Sequence, residues 1–404
     1  MLTDARRAPL RQALQDAVAA GVTPGAVLGW AVGDEPPEYV AVGSTAWPGQ
    51  GLPITPVTPA TIYDLASLTK PLLTTAAAML LVARGRITLT TSLADVLVGW
   101  RGEGRELVRL DHLLGHEAGL VWWLPFYRQL LPTSPVGPAP WPVGEGGVDD
   151  LPAARWARLS AALLQIRPEQ PPGTAGVYSD PGFLLLGWAL EQVAGEPLAD
   201  LVGRELWEPW AATGLTFVSL GPGGPPGRWA VTPVALGTRG VVAPTERCPW
   251  RQRLLHGEVH DENASYLGGI APHAGLFGTA ADLLGFGRGL LRARADRSPE
   301  TLPGTVVRSF WEGGSRPAGS TWALGWDRPT PGGSAGGRRI SPGAVGHLGF
   351  TGVSLWIDPA RDAVVTLLTN RVHPTRAGAG IKELRSAVHD LLWDLLDGRA
   401  PAAG

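Results

Sequence analysis

The spacing of hydrophobic and polar positions changes twice within the first 46 residues. Apolar residues recur at helical spacing around residues 7–20, which predicts an amphipathic helix. Two β-rich runs follow, GAVLGWAVGD and PEYVAVGSTA, and a turn rich in Gly, Asp, Glu and Pro separates them. The two runs predict a β-hairpin.

The middle of the chain has a helical pattern, and strand patterns return near the C-terminus. From residue 65 to about 290, apolar helical segments alternate with Pro- and Gly-rich connections. Later, GVSLWIDPARDAVVTLLTN predicts a second hairpin and IKELRSAVHDLLWDLLDG a closing amphipathic helix. We therefore expect an α+β fold, an α/β sandwich whose antiparallel sheet comes from both chain ends and is flanked by helices. Residues 1–64 and 291–404 would form this sheet lobe and residues 65–290 a mostly helical lobe, with the active site at their junction.

Composition narrows the classes of function. The 404 residues are 44% hydrophobic and 17% charged, enough for a packed core and more than a single domain usually contains. A formal charge of −2 provides no basic field for nucleic acid or an anionic membrane. The single cysteine excludes an intramolecular disulfide and a multi-cysteine metal site. We recognise no secretory signal or membrane-spanning run, so we expect a cytoplasmic protein.

Ser67 and Lys70 form the first candidate site. Lys70 is one of only two lysines and stands three residues after Ser67, so both side chains would share one helix face. A lysine can remove the proton of a serine hydroxyl if burial or a neighbouring cation holds the amine neutral. The apolar residues after Lys70 predict a buried helix, and Pro71 predicts an irregular first turn.

Two further segments carry candidate residues. Tyr178 and Asp180 stand just before an apolar helix, where Tyr178 is suited to shuttle a proton to a leaving group. Asp180 as a helix N-cap beside a packing tyrosine is an equal alternative. His347 and Gly349 open a strand of the C-terminal sheet. Glycine there would let a substrate lie against the strand edge, and the N–H groups beyond it are placed to bind an oxyanion.

Together these segments resemble the serine β-lactamase and penicillin-binding-protein superfamily, in its class C β-lactamase-like branch. Ser67-Leu68-Thr69-Lys70 matches the S-x-x-K motif, Tyr178-Ser179-Asp180 the Y-x-N motif, and His347-Leu348-Gly349 the third motif, which is K-T-G or H-x-G. The likeness covers roughly residues 15–395 and includes DHLLGHEAGL and HAGLFGTAADLLGFGRGLL. The chain departs from the family pattern at Asp180 and Leu348, and it has no lysine in the third motif.

The resemblance implies a β-lactamase/transpeptidase-like fold and covalent catalysis. Ser67 would be acylated, with Lys70 and Tyr178 as base and proton shuttle in either order. The backbone N–H groups of Ser67 and Phe350 would bind the oxyanion. Asp180, His347 and Gly349 would border the substrate, a small ester, amide or β-lactam. The resemblance requires no cofactor or metal, and the oligomeric state stays open.

Two rival patterns are weaker. GGSAG around Ser334 fits the G-x-S-x-G pattern of α/β-hydrolases, but it lacks the strand and helix that this motif requires. Histidines at 112 and 116, and at 256 and 260, have metal-compatible spacing without the H-E-x-x-H signature or an evident third ligand. A non-catalytic binding protein on the same fold is a further alternative.

The third motif favours a β-lactamase-like carboxylesterase, with a β-lactamase, a D-Ala-D-Ala carboxypeptidase or a D-aminopeptidase as alternatives. The motif lacks the cation and the hydroxyl that would bind the carboxylate of a β-lactam. With an ordinary histidine pKa of about 6.5, His347 would gain charge near pH 6 and improve β-lactam turnover. Arg371 is a candidate for the missing cation.

Overall fold

The computed structural model describes residues 3–130, 152–220, 228–297, 302–314 and 317–398. Its helices are α1 (Asp4–Ala19), α2 (Ala76–Ala83), α3 (Leu93–Val96), α4 (Leu110–Leu114), α5 (Phe126–Gln129), α6 (Pro152–Leu163), α7 (Asp180–Ala194), α8 (Leu198–Val202), α9 (Pro233–Arg239), α10 (Glu262–Tyr266), α11 (Ala280–Arg294), α12 (Gly304–Glu312) and α13 (Ile381–Leu396). Its strands are β1 (Gly25–Val32), β2 (Glu38–Gly43), β3 (Tyr63–Asp64), β4 (Thr216–Val218), β5 (Ala230–Val231), β6 (Arg247–Cys248), β7 (Arg253–Leu254), β8 (Leu276–Gly278), β9 (Val345–Leu348), β10 (Ser354–Asp358) and β11 (Ala363–Thr369).

A five-stranded antiparallel sheet joins the two ends of the chain in the order β2-β1-β11-β10-β9. Both predicted hairpins are confirmed, since β1 pairs with β2 and β10 pairs with β11. The N-terminal strand β1 then pairs with β11 over its length, with Leu28 opposite Leu367. The expected α+β architecture is therefore confirmed.

The alternation of side chains along β1 explains why helices cover both faces of this sheet. Leu28 and Trp30 lie in one hydrophobic core with Leu14 of α1 and Trp393 of α13. Val27 lies in a second core with Leu284 of α11. Successive strand residues point to opposite faces, so a strand that is apolar on both must be buried on both.

Several helices pack around the helical segment of Ser67 and Lys70. Helix α2 contacts α7, α8 and α12, and strand β8 of a small sheet, in the order β3-β8-β4-β5, contacts the residues around Ser67. Helix α11 packs on the five-stranded sheet, although residues 280–290 fall in the segment that we assigned to the helical lobe. The division into lobes stays a proposal.

One stretch of the described residues, Ala66–Ala83, is long and apolar enough to cross a membrane. However, 83% of it is buried by other parts of the fold. Burial of this kind is typical of a core helix, and the cytoplasmic location stays a prediction.

Candidate active site

The Ser67 turn, residues 64–68, connects β3 to the helical segment that carries Lys70. Ala66 has a φ of 46°, in the left-handed region that residues other than glycine seldom adopt. The Asp64 carboxylate supports this conformation by accepting hydrogen bonds from the N–H groups of Ala66 (2.8 Å) and His260 (2.6 Å). The turn therefore holds Ser67 half-buried in front of an apolar helix.

Lys70 begins a wide helical turn, Lys70–Thr75, that leads into α2. Pro71 has no N–H to donate, which agrees with the irregular first turn that we predicted. The lysine side chain is fully buried, and its Nζ lies 3.3 Å from Ser67 Oγ and 2.7 Å from Asp180 Oδ1. It also donates to the carbonyl oxygen of His273 at 3.3 Å. The predicted Ser67–Lys70 pair is therefore in hydrogen-bond contact.

The charge state of this cluster differs from the sequence expectation. Burial acts to lower the pKa of Lys70, but the charge of Asp180 and the proximity of Tyr178 raise it, and the net pKa lies above its ordinary value. Burial also raises the pKa of Tyr178. The resting site at neutral pH thus contains an ammonium ion paired with Asp180 and a neutral phenol. The condition for a basic lysine, an amine held neutral by burial or a cation, is therefore not met in this state.

The turn before α7 shows how Tyr178 and Asp180 are directed. Ser179 is the N-cap of α7, because its Oγ accepts the N–H of Gly182 at 3.0 Å. Asp180, the first residue of the helix, is therefore free of the capping role and reaches Lys70 instead. The alternative that Asp180 caps the helix is wrong. The Tyr178 ring centroid lies 4.7 Å from Lys70 Nζ, so the structure brings both residues to the Ser67–Lys70 pair.

His347 and Leu348 of the third motif lie on β9, and their side chains contact different parts of the fold. His347 is buried near Tyr178, with ring centroids 6.2 Å apart, and its Nδ1 hydrogen-bonds the Leu348 carbonyl at 2.8 Å. Burial, followed by the Lys70 charge, lowers the pKa of His347 to about 3. Leu348 packs against the core formed with α1 and α13. Our expectation that His347 gains charge near pH 6 is therefore wrong, because an ammonium ion and an apolar wall oppose a second charge.

Gly349 packs closely against neighbouring segments. A Cβ at this position would overlap Cγ2 of Val353 and would lie 2.8 Å from the carbonyl oxygen of Leu65 and 3.4 Å from the Cβ of Ala66. The position of a substrate along the strand edge stays a prediction. Glycine is required here because β9 and the turn pack closely.

Two backbone donors of this region, the N–H groups of Ser67 and Phe350, are the candidates for the oxyanion site. Among the described residues, neither the Ser67 N–H nor the Phe350 N–H has a hydrogen-bond acceptor. Phe350 follows Gly349, whose N–H donates to the Val353 carbonyl and whose own carbonyl accepts from Arg385. These anchors support a fixed position for the Phe350 N–H, as an oxyanion site requires.

A comparison with known families agrees with this arrangement. The family model described as Beta-lactamase matches residues 10–389, which is nearly the whole chain. The chain belongs to the beta-lactamase family. Its fold is accordingly the β-lactamase/transpeptidase-like fold that the sequence motifs implied, and the protein is a serine hydrolase of that family.

Two curated relatives and one solved structure show what else this chain is similar to. It is 30% identical over 327 residues to the N-acetylmuramyl-L-alanine amidase of Bacillus subtilis (strain 168), covering 78% of this chain and 68% of the relative. It is 28% identical to a putative D-alanyl-D-alanine carboxypeptidase of Escherichia coli (strain K12), covering 78% and 70%. The octameric penicillin-binding protein homologue from Pyrococcus abyssi shares the fold, with a TM-score of 0.68, 20% identity and coverage of 99% and 78%.

Sequence reasoning missed two residues that position this site. Asp64 holds the Ser67 turn, and a lone acid among buried residues just before the motif was a usable signal. His116 lies 4.6 Å from the Tyr178 ring, and its Nδ1 accepts the Ser179 N–H at 3.1 Å. Burial, with the charge of Lys70, lowers the pKa of His116 well below its usual range, so a neutral imidazole supports Tyr178.

The residues of the rival motifs form hydrogen bonds within the fold. The Ser334 hydroxyl is buried and accepts the N–H of Gly336 at 3.0 Å within its own loop. The Nδ1 atoms of His112 and His116 accept backbone N–H groups, and His260 contacts Glu246. Across the described ranges, no group of three potential metal ligands converges.

Replacing Asp180 with asparagine is expected to move the pH dependence of activity. The substitution removes a charge 2.7 Å from Lys70 Nζ, so only the Tyr178 contacts still oppose burial and the pKa of Lys70 should fall. If neutral Lys70 accepts the Ser67 proton, the acidic limb of the kcat/KM profile moves to lower pH. Nitrophenyl acetate hydrolysis between pH 5 and 10 measures this shift.

The matched control for this experiment is Asp16→Asn, which removes an exposed carboxylate in α1 that contacts Gln12. It should leave the profile unchanged. An acidic limb that stays in place in Asp180→Asn would show that Lys70 remains protonated throughout turnover and serves only as a cation.

Proposed function

We propose that the protein is a carboxylesterase that works through an acyl-enzyme on Ser67. The observation that carries this proposal is the contact of Ser67 Oγ with Lys70 Nζ at 3.3 Å. The N–H groups of Ser67 and Phe350, which have no acceptor among the described residues, support it. Ser67 Oγ attacks the ester carbonyl, and the Ser67 and Phe350 N–H groups bind the developing oxyanion. The new bond is the Oγ–acyl bond, and the bond that breaks is the one to the alkoxide leaving group.

The proton steps follow from the resting charges. Lys70 is an ammonium ion at rest, so it must first lose a proton before it can accept the one from Ser67. Asp180, 2.7 Å away, is the adjacent acceptor, and the Tyr178 hydroxyl is suited to deliver a proton to the leaving alkoxide. Water then attacks the acyl carbon and gives a proton back to Tyr178. The bond to Ser67 Oγ breaks, and Oγ takes back the proton that Lys70 holds. Lys70 and Tyr178 keep their two proposed roles, base and shuttle.

The third motif supports a preference for neutral esters over β-lactams. Neither the neutral His347 nor the inward-packed Leu348 supplies a cation or a hydroxyl for a substrate carboxylate. A hydrogen bond to a charged group is worth about 1.5–3 kcal/mol, so its loss costs about 10- to 150-fold in binding.

Short-chain nitrophenyl esters are therefore expected to have a higher kcat/KM than nitrocefin, by about 10-fold or more. The pKa of His347 lies near 3, so His347 stays neutral between pH 6 and 8. The ratio of kcat/KM for the ester to kcat/KM for nitrocefin should therefore not change over this range. Steady-state kinetics with both substrates at each pH test this. Efficient nitrocefin hydrolysis would contradict the esterase proposal and support the β-lactamase alternative.

A specific contact favours a second candidate, a D-alanyl carboxypeptidase or D-aminopeptidase. Arg371 donates from Nε to the Phe350 carbonyl at 2.9 Å, and its guanidinium carbon lies 4.5 Å from the Phe350 ring centroid. In the described part of the chain it forms no ion pair with a carboxylate. A guanidinium so close to the proposed oxyanion donor is suited to bind the terminal carboxylate of a peptide. The amidase and carboxypeptidase names of the relatives agree with this candidate.

Arg371→Gln separates the two candidates. If the substrate is a peptide with a free carboxylate, this variant should raise KM for a D-Ala-D-Ala peptide by about 10- to 150-fold. The same peptide with a C-terminal amide is the matched control, because it lacks the charge but keeps every other contact. Equal effects on both peptides would exclude Arg371 as the carboxylate ligand.

A further inference from the structure

A second cavity lies behind the candidate active site and has no part in the proposed reaction. Its volume is about 380 Å³, within the range of small-molecule sites. Helix α7 contributes Gly187, the turn after Lys70 contributes Leu73, and the loop before β8 contributes Pro272. The walls are mostly aliphatic, proline and tryptophan side chains.

Glu191 is the one ionisable side chain among the described residues that line this cavity. Its Oε1 accepts a long hydrogen bond from the Leu198 N–H, 3.3 Å, and no described cation pairs with it. Burial raises the pKa of Glu191, and the Leu198 N–H offsets this only in part. Glu191 is partly buried and has no counter-charge among the described residues, so a cation that entered the cavity would be stabilised beside it.

An aromatic ring adds to this preference. Trp156 lines the same cavity, and its ring forms a T-shaped pair with the ring of Trp188, with centroids 6.4 Å apart. The face of a tryptophan attracts ammonium groups, most strongly where water is excluded. One carboxylate, one indole and aliphatic walls together suit a ligand that is cationic at one end and apolar at the other.

We propose that this cavity binds a small organic cation with an apolar arm, such as an arylalkylammonium ion. The site is distinct from the Ser67 cleft and does not depend on the proposed esterase activity. It shares a wall with that cleft, since Pro272 accepts a hydrogen bond from the Thr74 hydroxyl at 2.5 Å. The adjacent His273 carbonyl accepts from Lys70 Nζ. A ligand in the cavity would contact the loop that holds Lys70. Its binding should therefore also change the kcat of ester hydrolysis.

Calorimetric titration of the whole protein with phenethylammonium, and with 2-phenylethanol as its neutral counterpart, tests the proposal. The cation should bind about 10-fold or more tightly than the alcohol, because only the cation gains a charge-assisted contact with Glu191. Glu191→Gln should remove this preference. Ala199→Leu, which fills part of the cavity and keeps the carboxylate, should weaken both ligands.

Two variants serve as controls. Glu383→Gln removes an exposed carboxylate of α13 and should bind as the wild type does. Ser67→Ala should also retain binding, because the ligand does not use the serine cleft. Equal affinity for cation and alcohol, undiminished preference in Glu191→Gln, or no measurable binding would overturn the proposal. Melting temperatures of the unliganded variants show whether each is folded.

Discussion

Ser67→Ala is expected to abolish hydrolysis of nitrophenyl esters, because the variant has no atom on which an acyl-enzyme can form. Loss of a serine nucleophile lowers kcat on the order of 10⁶-fold where it has been measured in a serine protease. The hydrogen bond from Lys70 to the serine hydroxyl is long, 3.3 Å, so the melting temperature should change little. Steady-state rates, together with intact mass after treatment with a fluorophosphonate, measure both effects.

Ser334→Ala is the matched control, since it removes the serine of the rival G-x-S-x-G pattern. This variant should keep full activity and full labelling at Ser67, with at most a small loss of stability from the hydrogen bond to Gly336. Labelling at Ser334, or full activity in Ser67→Ala, would move the active site elsewhere. A wild-type protein that is never acylated would support the non-catalytic binding protein instead.

Lys70→Arg is expected to lose activity by about 10²–10⁴-fold, the usual contribution of a general base. The guanidinium keeps the positive charge beside Asp180 but does not give up its proton, so it preserves the ion pair and removes the base. The measurement is kcat/KM for a nitrophenyl ester at the pH optimum of the wild type. A folded Lys70→Arg protein with the wild-type rate would show that Lys70 acts as a structural cation.

Lys70→Ala should lose at least as much activity, but it also leaves a half-buried Asp180 carboxylate without its partner. The double variant Lys70→Ala, Asp180→Asn removes both charges and tests activity without that loss of stability. Lys382→Ala is the control, because the second lysine of the chain is exposed on α13. Equal behaviour of Lys70→Ala and Lys382→Ala in activity would contradict the assignment.

Features that depend on local spacing could be predicted from the sequence. The apolar runs separated by turn residues were enough to predict the hairpins β1–β2 and β10–β11. The three-residue interval between Ser67 and Lys70 was enough for their contact, because helical geometry alone brings such residues together. Pro71 was enough to predict that the first turn of the helical segment is irregular.

Features that depend on what surrounds a residue could not be predicted. The position of Asp180 before a helix suited both a cap and a partner for Lys70, and the Oγ of Ser179 decided between them by capping the helix itself. Gly349 indicated an approach to the strand edge, but not that Leu65 and Ala66 would lie there. The Lys70–Asp180 pair and the packing of Gly349 each join segments far apart in the chain.

The sequence by itself determined the strand pairing within each hairpin, the family motifs and the residues Ser67, Lys70 and Tyr178 as candidates. Only the tertiary structure decided their charges, because a pKa depends on burial and on neighbours from other segments. Burial beside Lys70 keeps His347 neutral, and the Asp180 carboxylate keeps Lys70 charged. The same reason applies to Glu191, which packing places in an apolar cavity where no described residue supplies a cation.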